Sequence, residues 1–346
     1  MPTKESVLYF ECVRNFLMVY LPNQKSVSVE TIRSYHAALR CFIDYTCKKL
    51  SVKLSEFGFD HCSRVMLESF LDHLENEQGC TVSTRNQRLS AVRRFFKYAA
   101  ERDISIMACY QEMMLIPIKK TAQHDIDFFS ESALSTILAE VNTQSPKGIR
   151  DLTFMILLYD TGARLQEILD LRPVNLHISN GEKYVVIAGK GNKTRIVPLM
   201  DKTIDHLKRY ISIYHRNNDD TYLFYTVRHQ EKQQMSQDNV SKFIKKYGKA
   251  ARSKCVEVPE HLYAHMFRHS RATHLYRNGM ALPLISEWLG HEQVETTIKY
   301  YANADLSMKE DAIAKATSKL NPLTSQSMDF EYKDDDETIK RLYGLA

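Results

Sequence analysis

Apolar residues recur at helical spacing through most of this chain. Strand-like alternation appears once, on either side of the turn Gly189-Lys190-Gly191-Asn192. That imbalance restricts the fold to a mainly α protein with a small β-sheet, an α+β architecture. Four helical blocks come first. Residues 6–20 place Leu8, Cys12, Phe16 and Val19 on one stripe, and Pro22 is the expected stop. Ser28 is a candidate cap for a helix to about 48, with Ile32, Tyr35, Leu39, Phe42 and Ile43 in register. A third block, 64–77, ends at Gly79, and a fourth runs from Ser83-Thr84 to 102. Residues 1–105 are therefore expected to form a compact all-helical domain.

Residues 106–128 read as a linker, in which Ile116 and Ile118 flank Pro117 ahead of Lys119-Lys120. A mixed domain is expected over 129–320. Its predicted helices span 130–140, 147–159, 164–171, 202–214 and 237–251, and its strands 184–188 and 195–199; helix and turn follow over 259–316. Residues 321–346 form an acidic tail with six acids against three bases, so the preceding 320 residues carry +8 within a chain of net charge +5. That surplus suits a phosphate-backbone partner without identifying one.

Composition excludes several classes. No run of 18 apolar residues is present, so a transmembrane helix is not expected. The N-terminus lacks a signal-peptide pattern, which makes the cytoplasm the expected compartment. Seven cysteines without a C-x-x-C pair indicate neither a zinc ribbon nor a disulfide framework. No cofactor or metal is expected.

The chemistry-bearing residues gather late in the chain. His265 and Arg268 are three apart and share a helix face. Leu289-Gly290-His291 follows, and then Tyr300 with Tyr301 beside it. Upstream, Arg164 follows Thr161-Gly162-Ala163, with Glu167 on its helix face, and Lys190 sits at the hairpin tip with Lys193 as a second candidate. Two arginines, a lysine, two histidines and a tyrosine suit a phosphodiester. Guanidinium forks match its oxygens, and a phenolate can attack phosphorus. Plainer readings exist for each: a surface ion pair for Arg164–Glu167, a solvated turn lysine, a capping histidine. His269 is expected to face elsewhere on the helix and pack, and His274 to be structural.

In this order and with these flanks, the chain resembles the tyrosine recombinases (phage integrases, Xer-type recombinases and transposon integrases) from about residue 5 to about residue 320. The resemblance implies a core-binding (SAM-like) DNA-binding domain ahead of a catalytic domain in which Arg164, Lys190, His265, Arg268, His291 and Tyr300 are catalytic. Arg164 and Arg268 would clamp the phosphate, with Glu167 supporting Arg164. Lys190 would protonate the leaving 5′-oxygen, and Tyr300 would form a 3′-phosphotyrosyl link that keeps the bond energy without ATP. Tyr301 faces about 100° away from Tyr300 on a helix and is the lesser candidate. The implied partners are a double-stranded recombination site, three further copies in a tetramer and an accessory DNA-bending protein; a membrane partner is not implied. The helices begin near residue 5, leaving no room for an arm-binding domain of the lambda type, so an Xer-like, mobile-element form is expected.

DNA contacts are expected from Arg85, Arg88, Arg93, Arg94 and Lys97, five bases with no intervening acid, and from Lys119 and Lys120. The plainer reading is a solvated basic face. In the tail, Ile339, Leu342, Tyr343 and Leu345 make an apolar stripe suited to docking on a neighbouring subunit. The expected function is integration or excision of a mobile element. Chromosome or plasmid dimer resolution, type IB topoisomerase activity and non-catalytic DNA binding are the alternatives.

Overall fold

The computed structural model describes residues 2–121, 127–179, 181–189, 193–216, 221–291 and 340–341. The chain divides into two units, Met1–His124 and Asp125–Ala346.

The first unit is all-helical. α1 (Lys4–Asn15) starts at Thr3, whose hydroxyl accepts from the Ser6 amide. Pro22 does not stop the chain there. The helix widens into π turns over Phe16–Gln24, and burial of Phe16, Leu17 and Leu21 holds that segment despite the missing proline N–H. α2 (Val29–Leu50) is capped by Ser28, as expected, while α4 (Val82–Ala100) is capped by Thr81 and starts just before the expected Ser83-Thr84. α3 (Arg64–Asn76) lies between them in sequence and packs against both. Edge-on aromatic contacts knit the core, with ring centroids 4.9 Å apart for Tyr9–Phe57 and 5.5 Å for Phe16–Phe95.

Two of the expected DNA-binding bases are engaged by the unit's own backbone, Arg85 buried and Arg93 half-buried. Arg85 falls on the α4 stripe with Leu89, Val92 and Phe96 and is 4% exposed. It donates to the Pro117 carbonyl at 2.9 Å and lies 3.7 Å from Glu75. Arg93 donates to the carbonyls of Met113 (2.9 Å), Met114 (3.1 Å) and Ile116. Both corrections have one cause. The supposed linker begins with a helix, α5 (Met107–Met114), whose Met113 joins Ile116 in the core, and these arginines cap its end. Lys119 pairs with Glu75 at 2.6 Å, Arg88 and Arg94 are half-buried, and Lys97 and Lys120 are exposed.

The second unit is built on α7 (Pro146–Thr161), packed by α6 (Glu131–Ala139), α9 (Asp201–Tyr214) and α11 (His265–Arg277). An antiparallel sheet of β1 (Leu176–His177), β2 (Tyr184–Ala188) and β3 (Thr194–Pro198) pairs Val185 with Val197 and Ile187 with Arg195. α8 (Leu165–Leu169) contacts β2, and α12 (Leu282–Leu289) contacts β3. A second hairpin, β4 (Tyr225–Arg228) with β5 (Glu231–Gln234), precedes α10 (Gln237–Arg252). Phe129 is stapled to α11 by both backbone groups. Its amide donates to the Ser270 hydroxyl at 2.7 Å, and its carbonyl accepts from His274 Nε2 at 2.9 Å. Because a carbonyl can only accept, Nδ1 of His274 is unprotonated and accepts from Tyr159 at 2.8 Å. His274 is thus structural, as expected. No described helix is long and apolar enough to cross a membrane.

Candidate active site

Two helix ends and one helix start frame the site. α7 ends at Gly162 and α12 at Gly290, both left-handed, with φ of 60° and 67°. Those turns deliver Arg164 two residues after the first glycine and His291 directly after the second. α11 starts at His265.

Arg164 is the N-cap of α8, and Glu167 holds it twice. The carboxylate accepts from the Arg164 amide and from Nη1, each at 2.9 Å. Glu167 is 7% exposed and also accepts from Arg195 Nη2 at 2.7 Å. Burial would raise its pKa, but the bonds and charges of Arg195 and Arg164 outweigh burial and hold it below the usual carboxylate value. The Arg164 side chain keeps 42% of its surface open, so its fork is oriented without being covered.

Arg268 is 2% exposed and grips the framing helix ends. It donates to the Gly162 carbonyl at 2.8 Å and to the Leu289 carbonyl at 2.9 Å. A cation suits the negative ends of two helices. These bonds tie the entry to Arg164 to the entry to His291.

The histidines lie within the field of these arginines. His265 titrates below the usual imidazole value because of burial of its ring, then the charges of Arg268 and Arg164. His291 is pushed down to about 4 by burial, then by Arg268, Arg164, His265 and Arg195. Arg164 and Arg268 thus act on both imidazoles, Arg195 acts on His291, and the neutral form of both rings is favoured.

His269 does not face away from the site as expected. Its ring meets His265 edge-on at 4.5 Å, and it too is pushed down to about 4, by burial and then by His265, Arg268 and His291. The spacing of four residues between His265 and His269 is the signal for that shared face. Arg195 was also missed as a site residue; nothing local in its sequence announces bonds to Glu167 and to the Trp288 carbonyl (3.1 Å).

Lys190, Tyr300 and Tyr301 lie outside the described residues, as do the stripe residues Ile339, Leu342, Tyr343 and Leu345. The base of the Lys190 turn is closed by Gly189 N donating to Lys193 O at 2.7 Å, and Lys193 is exposed. Among the described residues no group of three His, Cys, Asp or Glu side chains is placed to hold a metal ion.

Comparison with known proteins now decides the family. The phage integrase family matches residues 127–307, and the phage integrase N-terminal SAM-like domain matches residues 15–103. The chain belongs to the phage integrase family. This integrase is 31% identical over 334 residues to a putative integrase/recombinase, y4rC, of Sinorhizobium fredii, covering 96% of this chain and 97% of that one. It is 30% identical over 290 residues to the tyrosine recombinase XerD of Staphylococcus epidermidis, covering 83% and 90%. The Tn1549 transposon integrase in complex with transposon right end DNA superposes with a TM-score of 0.67 over 88% of this chain and 98% of that one; at 15% identity the likeness is one of fold. Fold and family agree: the protein is a tyrosine-type, site-specific DNA recombinase, mainly helical with small antiparallel sheets.

Proposed function

We propose that this integrase cuts and rejoins DNA through a 3′-phosphotyrosyl intermediate, and that its role is integration or excision of a mobile element. The observation that carries the reading is the mutual field of Arg164, Arg268, His265 and His291, organised around two left-handed helix ends.

Tyr300 is the nucleophile. Its phenolic oxygen attacks the scissile phosphorus and passes its proton to solvent water as it does so, the P–O5′ bond breaks, and the leaving 5′-oxygen takes a proton from Lys190, with Lys193 as the second candidate. Arg164 and Arg268 stabilise charge on the phosphoryl oxygens, and neutral His265 and His291 provide hydrogen bonds without adding charge. A 5′-hydroxyl of the partner duplex reverses the step. The same chemistry requires a double-stranded site and, for exchange between two duplexes, a homotetramer; an accessory bending protein would bring the sites together. The cytoplasm, where bacterial DNA is accessible, is the proposed compartment. Similarity to XerD favours dimer resolution as the second reading of the biological role.

The test uses the full chain and a nicked duplex selected by the wild-type protein from a random-sequence pool. A denaturant-stable protein–DNA adduct is expected from wild type and from Tyr301→Phe, and none from Tyr300→Phe. An adduct that survives Tyr300→Phe, or binding without any adduct from wild type, overturns the mechanism.

A further inference from the structure

Arg195 occupies a position that joins three parts of the catalytic unit. It stands on β3 opposite Ile187, on the same strand face as buried Val197, and its side chain is 11% exposed. Nη2 donates to Glu167 at 2.7 Å, and Nε donates to the Trp288 carbonyl at 3.1 Å, three residues before His291. A Cβ added at Gly290 would stand 3.0 Å from Arg195 Nη1, and one at Gly189 would stand 3.6 Å from the same nitrogen and 3.6 Å from Glu167 Oε1. The guanidinium thus lies beside the two glycines that immediately precede Lys190 and His291. Glu167, held by Arg195, in turn holds Arg164 at both its amide and its guanidinium.

We propose that Arg195 is a positioning residue for strand cleavage: it fixes the Glu167 carboxylate that aims Arg164, and it locks that carboxylate in register with the Gly290–His291 turn. This rests on the recombinase reading above. A planar guanidinium meets both requirements because its donors point in different directions from one rigid fork; an ammonium can satisfy the carboxylate but not the carbonyl at the same time. Gly290 is required on the same account. It takes a left-handed φ of 67°, and any side chain there would press on Arg195.

The test compares wild type with Arg195→Lys and Arg195→Met, all as full chains, on the nicked duplex selected by wild type. DNA affinity is expected to stay within about twofold, while the single-turnover rate of adduct formation falls about tenfold to a hundredfold, as displaced catalytic groups predict. The pH profile separates positioning from general damage. With Arg195→Met, Glu167 loses its strongest partner and protonates more readily, so the acid limb of the rate profile moves to higher pH. With Arg195→Lys the charge is kept, so the acid limb stays in place while the rate remains low. Wild-type rates in both variants overturn the proposal. So does an equal loss of binding and rate with an unmoved acid limb in Arg195→Met, which describes a purely structural residue. If wild type itself forms no adduct, the recombinase reading fails separately. The positioning claim is then decided on DNA-free protein by the Arg164 side-chain and His291 ring NMR signals, whose invariance in Arg195→Lys overturns it.

Discussion

Replacing Arg268 with methionine isolates its bonds, because methionine keeps the length and apolar stem of the side chain and removes every donor. Arg268 is 2% exposed, and its two bonds close the C-terminal ends of α7 and α12. A hydrogen bond involving a charged group contributes about 1.5–3 kcal/mol, and a buried carbonyl left without a partner carries a comparable penalty. Losing both bonds therefore costs about 3–6 kcal/mol, a large part of the roughly 5–15 kcal/mol that holds a domain together. For a unit of this size, 1 kcal/mol moves the midpoint by about 2–4 °C, so the expected loss is roughly 6–24 °C. The only tryptophan in the chain, Trp288, adjoins Leu289, so its fluorescence reports on α12. Melting of the full chain followed by that signal gives the midpoint. A shift of less than about 2 °C would refute the reasoning, because it would mean that the two helix ends close without Arg268.

Three more outcomes follow from the same contacts. His269 and His291 titrate near 4 in the folded unit and near 6.5 when unfolded; stability is complete above about 6.5 and falls as pH drops towards 4, because the unfolded chain then binds protons that the folded one refuses. Tm measured against pH should show that slope, and His269→Asn should flatten it. In the N-terminal unit, Arg85→Met should lower the melting temperature while leaving the salt dependence of DNA binding unchanged, whereas exposed Lys97→Ala should leave melting unchanged and reduce the log–log salt slope by about 0.9 if it touches a phosphate. Asp160→Asn should destabilise the catalytic unit by about 3 kcal/mol in urea titration, since fully buried Asp160 pairs with Arg271 at 3.0 Å and caps the Met200 amide at 3.0 Å.

The contrast between what the sequence shows and what it hides follows from range. Ser28 announces α2 and Gly162 announces the turn before Arg164, because a cap or a left-handed turn is decided within four residues. The His265–Arg268 pair and the hairpin around Gly189 are local in the same sense. Strand β5 carries Glu231-Lys232-Gln233-Gln234, which has no apolar alternation, and its turn places His229 and Gln230 at positive φ with no glycine to mark it. Nothing in that stretch signals a hairpin. Helix α5 hides behind Pro117 because its stability comes from burying Met113 against other helices. Arg85 and Arg195 are misread or missed for one reason: an arginine's partners lie 32 and 93 residues away, and only the fold brings them together.

The electrostatics of the described site follow from how its arginines are held. Among the described residues, buried Glu167 accepts from Arg164 and Arg195, Arg268 donates to two helix-end carbonyls, and the neighbouring imidazoles are held neutral. On the proposed mechanism these groups sum to two positive charges, to which Lys190 adds a third. A bound phosphodiester brings one negative charge, and the five-coordinate phosphorus formed during attack brings close to two. On the proposed mechanism the positive charge therefore exceeds that of the ground-state phosphodiester and is better matched to the transition state, which is the direction catalysis requires. Protonating His265 or His291 would add charge in the wrong state by tightening the ground-state complex as well. On the proposed mechanism, the burial that keeps these rings neutral would reserve electrostatic attraction for the moment when charge develops on phosphorus. Among the described groups the positions of Arg164 and His291 then matter more than their charge, and those positions depend on Gly162, Gly290, Arg268 and the Glu167 carboxylate.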